Sequence, residues 1–197
     1  MSRVALLFAV ELGVQVEFSP VVDLMSTDVE AFGGNPSLKV PSLLLGDTAV
    51  FGALNVCRKL ALLSEKKAFI LWPEGMQHQL SVNALEVTLN AMGSEVFLLM
   101  NRMGSGESAG PLSPALQKTR KSLEGGTAWL EDKLPSVLDL LPPGRDLSYF
   151  EVCLFCYLDH LEWREVMSLH DFPQLREFRD EFMRRPSAQA TAYYFDG

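Results

Sequence analysis

The chain changes pattern once, at Leu71-Trp72-Pro73, and that change limits what it can fold into. Ahead of it, short helical and strand-like patterns alternate between turn residues. Behind it, apolar residues recur at helical spacing and no convincing strand pattern appears before the C-terminus. A small α/β part followed by an all-helical part is the expectation, with domain boundaries at 1–63, a linker at 64–77 and an all-helical domain at 78–197. With 197 residues, 48% of them hydrophobic and 21% charged, the chain can bury either one large core or two small ones.

In the first part, Arg3 to Glu11 has good helix formers and no breaker, and Gly13 stands where a left-handed helix cap is wanted. Val14, Val16 and Phe18 then alternate with Gln15 and Glu17, which predicts a strand with one buried face. Two short apolar runs, Val40 to Leu45 and Thr48 to Phe51, flank Gly46-Asp47 and predict a β-hairpin. Leu54, Cys57, Leu60 and Ala61 fall on one face of a helix running from Ala53 to Leu63.

In the second part, Leu85, Leu89, Met92, Val96, Leu99 and Met103 form one stripe of a long helix. The Gly-, Ser- and Pro-rich segment Gly104 to Pro114 predicts a loop. Leu116, Thr119, Leu123, Leu130 and Leu134 suggest a second helix, weakened by Gly125-Gly126, and Pro142-Pro143-Gly144 breaks the chain again. Ser148-x-x-Glu151 is a capping box opening a strongly apolar helix to Trp163. Pro173 starts a last helix carrying Leu175, Phe178 and Phe182.

Charge and cysteine usage exclude several function classes. Seventeen Lys and Arg against 25 Asp and Glu give a net charge of -8, a field that repels phosphate backbones and anionic lipid, so neither nucleic acid nor a membrane is expected as a partner. Three cysteines fit a reducing compartment, and cytoplasmic localisation is the expectation. No metal site is expected. Cys153 and Cys156 have a ligand-pair spacing but lie inside an apolar helix without a second pair, and His78, His160 and His170 share no ligand spacing. Asp159-His160 reads as a solvent face, Arg184-Arg185 as a helix-end pair complementing the dipole, and Cys57 as core. Tyr193-Tyr194-Phe195 reads as an aromatic tail docked on the helical domain.

Several phrases in order carry a resemblance: Asn35-Pro-Ser-Leu-Lys-Val-Pro41, Ala49-Val-Phe51 followed by Val56-Cys-Arg-Lys-Leu-Ala61, Leu71-Trp-Pro73, Ser148-x-x-Glu151, and Arg185-Pro-Ser-Ala-Gln-Ala190. Together they resemble the cytosolic glutathione S-transferase superfamily, especially its bacterial members, over nearly the whole chain. The resemblance implies a thioredoxin-like N-terminal domain that binds glutathione as co-substrate and a helical-bundle domain that presents a small apolar electrophile. It also implies a homodimer. Val40 would pair its backbone with the cysteinyl unit of glutathione, Pro41 would be the family's cis proline, and Lys39 would reach a carboxylate.

Two departures bear on chemistry. Where the family carries Glu/Gln-Ser to grip the γ-glutamyl group, this chain has Gly52-Ala53, which leaves only backbone amides at a helix N-terminus. Losing charge-assisted bonds of about 1.5–3 kcal/mol each would weaken glutathione tenfold or more. Glu11-Leu-Gly13 also lies so close to Met1 that the family's first strand and its catalytic Ser, Tyr or Cys have no counterpart, Ser2 being the nearest hydroxyl. Either that strand precedes the recorded start or another segment takes its place. The catalytic residue therefore stays unassigned. A glutathione-transferring enzyme and a non-catalytic module for ligand or protein binding are both open readings.

Overall fold

In the computed structural model, residues 1–105 and 112–194 are described. The chain divides into two compact units, Met1–Ala68 together with the residues from Arg184 onward, and Phe69–Met183.

The first unit opens with α1, Ser2–Leu12. Gly13 closes it in the left-handed conformation at φ 66°, with its amide on the Val10 carbonyl and that of Val14 on Ala9, the paired bonds that satisfy a helix end when glycine follows it. Val4, Leu7, Phe8 and Leu12 are buried on one side. Each such side chain contributes about 1.5–3 kcal/mol by leaving water. The hairpin forms as expected: β1, Ser42–Leu45, pairs antiparallel with β2, Thr48–Phe51, in the register Leu45↔Thr48 that leaves Gly46-Asp47 as a two-residue turn. α2, Ala53–Leu63, follows and buries Ala53, Val56, Cys57 and Leu60, packing along α1. The order α1–β1–β2–α2 is that of the expected α/β domain without its first strand.

One expected strand is not formed. Residues 14–18 are irregular, and Val16 and Phe18 stand 37% and 48% exposed. Alternation supplies a buried face only when a neighbouring strand supplies the ladder, and among the described residues none pairs with this segment.

The expected boundary at 78–197 also changes, because the C-terminal segment packs in the first unit. Arg3, only 3% exposed, donates to the carbonyl of Ala188 in α7, Pro186–Ala190, and lies 4.4 Å from the ring centre of Tyr193. Glu11 accepts from Arg185 Nε at 2.8 Å and from Ser187 Oγ at 2.5 Å. Two charged side chains of α1 thus hold the segment. The Tyr193 tail docks on α1 rather than on the helical domain, and Arg185 pairs with a carboxylate rather than with its helix end. Phe195 lies outside the described residues.

The second unit begins with β3, Ile70–Leu71, which pairs in parallel with β4, Leu147–Ser148, a short ladder that the strand-free reading of this part did not foresee. The expected linker is therefore pinned to the helical unit: the Phe69 amide also donates to Asp146 Oδ2 at 2.7 Å. α3, Gln79–Ser105, packs along α4, Pro114–Leu140. The expected loop from Gly104 is shorter than predicted, since α3 runs to Ser105 and α4 starts at Pro114; residues 106–111 lie outside those described. α4 continues through Gly125-Gly126, and a Cβ at Gly126 would sit 3.4 Å from Val87 Cγ1, so glycine there permits close approach of α3. α5, Tyr149–Trp163, is buried at Tyr149, Phe150 and every residue from Val152 to Leu158, as an apolar helix at a core centre must be. α6, Pro173–Phe182, receives its cap from another helix, with Glu131 accepting the amides of Gln174 and Leu175.

The expected stripe of α3 is met in part: Leu85, Met92 and Leu99 are buried, Val96 and Met103 are exposed, and Ala84, Thr88, Ala91 and Glu95 are buried as well. Glu95 accepts from or donates to His160 Nδ1 at 2.6 Å, which takes His160 out of the solvent face assigned to it.

Candidate functional site

The segment from Asn35 to Pro41 is built around one side chain. Asn35 is 5% exposed; its Nδ2 donates to the Lys39 carbonyl at 2.8 Å, and its Oδ1 accepts the Ser37 amide at 3.0 Å. Leu38 is held at φ 52°, a left-handed conformation that costs a residue with a Cβ about 1–2 kcal/mol. The loop is thus over-determined. Lys39 stands exposed, Val40 half-buried and Pro41 buried, and the Val40–Pro41 bond is cis. Among the described residues, the Val40 amide and carbonyl take no hydrogen-bond partner.

Gly52 closes the arrangement from the other side. Its amide donates to the Pro41 carbonyl at 3.0 Å, and its own carbonyl accepts the Val56 amide, which begins α2. Gly52 sits at φ 84°, ψ 143°, a region that side chains rarely adopt. α2 has no side-chain cap, so the amides of Ala53, Leu54 and Asn55 are left to its N-terminus with the positive end of the helix dipole. The fold therefore brings together all five residues singled out in the sequence, Lys39, Val40, Pro41, Gly52 and Ala53. Chemically the corner offers an open strand-like backbone beside a nest of donors, suited to an extended peptide that carries a carboxylate.

Asn35, Leu54 and Asn55 belong to this corner and were not among those five. Asn35 was legible as part of the Asn-Pro phrase, whereas the Leu54 and Asn55 amides follow from the helix start alone. Ser2 is the first residue of α1, at a helix start whose N-cap, Met1, makes no side-chain cap bond.

The remaining candidates are structural. Cys57, Cys153 and Cys156 are free thiols buried in the core, and burial pushes the Cys153 thiol far above its ordinary range. Among the described residues no group of His, Cys, Asp and Glu could hold a metal ion. The Ser148 hydroxyl accepts the Glu151 amide, while the Glu151 carboxylate grips Arg145 through two bonds of 2.7 and 2.8 Å and raises the Arg145 pKa. Burial likewise pushes up the Tyr157 hydroxyl, which meets Thr127 Oγ1 at 2.6 Å. A groove of about 400 Å³ lies between α3 and α4, with Trp129 on one wall and Asn90, Ser94 and Ser122 among its polar groups. Its lining holds no titratable side chain.

No family model matches the chain, and no curated protein does. Solved structures do. A glutathione S-transferase of Methylobacterium radiotolerans, in complex with glutathione sulfonate, superposes at a TM-score of 0.73 with 20% identity, over 99% of this chain and 91% of that one. One from Methylobacillus flagellatus, with glutathione bound, gives 0.74 at 20% identity over 98% and 94%. A glutathione transferase family member from Pseudomonas fluorescens, also with bound glutathione, gives 0.72 at 18% identity over 98% and 94%. The chain has the glutathione S-transferase fold. A glutathione S-transferase fold at this level of identity fixes the architecture, and the chemistry has to be argued from the residues. No described helix is long and apolar enough to cross a membrane.

Proposed function

We propose that the protein binds glutathione, with the Val40 backbone on its cysteinyl unit, Lys39 towards one carboxylate, and the α2 amides beside Gly52 and Ala53 on the γ-glutamyl carboxylate. The observation that carries this reading is the hydrogen bond from Gly52 to Pro41, which sets an open peptide edge beside an open helix N-terminus. That three structures of the same fold hold glutathione or its sulfonate supports it. The chemistry we assign is transfer of the glutathione thiolate to a small apolar electrophile, by a homodimer in the cytoplasm; three buried free thiols suit a reducing compartment.

A second reading, a non-catalytic binding module, is favoured by one observation. The hydroxyl nearest the expected catalytic position, on Ser2, lies inside the first turn of α1 rather than in a turn that precedes a helix. Calorimetric titration of glutathione, followed by ultraviolet absorbance of the bound thiol across pH, separates the readings. Binding with a thiol pKa lowered towards neutrality supports transfer chemistry. Binding with an ordinary thiol pKa supports the module, and no binding by folded protein removes the glutathione reading and leaves a module for an apolar ligand or a protein partner. Sedimentation of the purified chain tests the dimer.

A further inference from the structure

The groove between α3 and α4 lies within the second unit and takes no part in the glutathione reading. Its volume of about 400 Å³ falls within the roughly 300–1,000 Å³ of small-molecule sites. Trp129 lines it half-buried, beside Asn90, Ser94 and Ser122. Among the described residues, neither the Trp129 indole nor the Ser94 and Ser122 hydroxyls take a hydrogen-bond partner. Asn90 donates from Nδ2 to Glu86 Oε1 at 2.9 Å and keeps its Oδ1 for another donor. An indole offers a π face and one donor, the serines donate and accept, and the amide oxygen accepts. Together they match a flat, uncharged ring system with donors and acceptors along its edge. The Glu86 carboxylate held on Asn90 and the net charge of -8 disfavour an anion there.

The glycines of α4 supply a second, independent observation. Gly125 and Gly126 both line the groove in mid-helix, where glycine is a poor helix former. Packing accounts for Gly126, whose Cβ would stand 3.4 Å from Val87 Cγ1 and 3.9 Å from Ala91 Cβ. It does not account for Gly125, whose Cβ would meet no atom within 4 Å. A helix glycine without a packing reason, set in the wall of a groove, bares the backbone to close approach by a ligand.

We infer that this groove binds an uncharged planar aromatic molecule, stacked on Trp129, hydrogen-bonded by Asn90, Ser94 and Ser122, and seated against the backbone at Gly125. The test titrates the isotope-labelled chain with adenosine and with coumarin-3-carboxamide, each beside its anionic counterpart, adenosine monophosphate and coumarin-3-carboxylate. At least one neutral compound is expected to give saturable shifts of the Trp129 Nε1–H and the Gly125 and Gly126 amides, about tenfold or more tighter than its counterpart. Gly125→Ala is expected to weaken that compound about tenfold while unfolding at a higher temperature, whereas a purely structural Gly125 would raise stability and leave binding unchanged. Trp129→Ala, checked for folding by circular dichroism, is expected to abolish the shifts; if it does not fold, Gly125→Ala decides. No saturable shift with either neutral compound at millimolar concentration, unchanged binding by Gly125→Ala, or equal binding of the anions overturns the inference. Shifts of the same groups with protein concentration alone would place a second copy of the chain in the groove and overturn it as well.

Discussion

Buried charge in this protein is placed by partners that lie far away in sequence, which is why single residues were the hardest part to read. Glu11 was legible as the acid before a helix-capping Gly13, yet its role depends on Arg185 and Ser187, more than 170 positions later. Burial favours its neutral form, and the hydrogen bonds from Arg185 and Ser187 outweigh that, so the carboxyl is held below its ordinary range. A depressed carboxyl pKa stabilises the fold at pH values above the unfolded pKa, and that contribution is lost as pH falls through the folded one. Glu11→Gln is therefore expected to cost about 1 kcal/mol at neutral pH, Arg185 being partly screened by water, and to flatten the acid limb of stability, read by urea denaturation between pH 3 and pH 7. The Glu95–His160 pair was likewise hidden, because neither residue announces its partner. His160→Ala leaves the Glu95 side chain, 2% exposed, without the imidazole it pairs with, and is expected to destabilise the fold by about 3 kcal/mol, measured in the same way.

At the scale of elements, local patterns were read well wherever they could be satisfied locally. The hairpin turn at Gly46-Asp47, the Gly13 cap and the Ser148 cap each involve residues within a few positions, and each formed. Failures fell where a partner element decides. Val14 to Phe18 has strand alternation and, among the described residues, no strand paired with it. The α3 stripe was placed by its apolar residues, of which Leu85, Met92 and Leu99 are buried, while the close approach of α4 at Gly126 sets Val87 and Ala91 beside it and Val96 and Met103 stand exposed. The same approach separates the two glycines of α4. A Cβ at Gly125 meets nothing, so Gly125→Ala is expected to raise stability by about 0.5–1 kcal/mol through helix propensity. Gly126→Leu drives a side chain against Val87 and is expected to lower stability by about 1–3 kcal/mol, with thermal unfolding of both variants as the measurement.

On the scale of the whole molecule, the unit that carries the candidate site is assembled from both ends of the chain, a feature that no local pattern displays. The Asn-Pro phrase and the α2 start pointed to five residues that the fold sets in one corner, while the segment that buries Arg3 was assigned to the other unit. A chain ending at Met183 removes the partners of Arg3 and Glu11 and is expected to speed hydrogen exchange of the α1 amides by about tenfold or more. The central claim is that glutathione binds where the Val40 edge meets the α2 amides. The most direct measurement is a titration of glutathione into isotope-labelled protein, followed by amide chemical shifts. Saturable shifts centred on Lys39, Val40 and Gly52 to Asn55 are predicted. Saturable shifts centred elsewhere, or none at millimolar glutathione, would contradict the account.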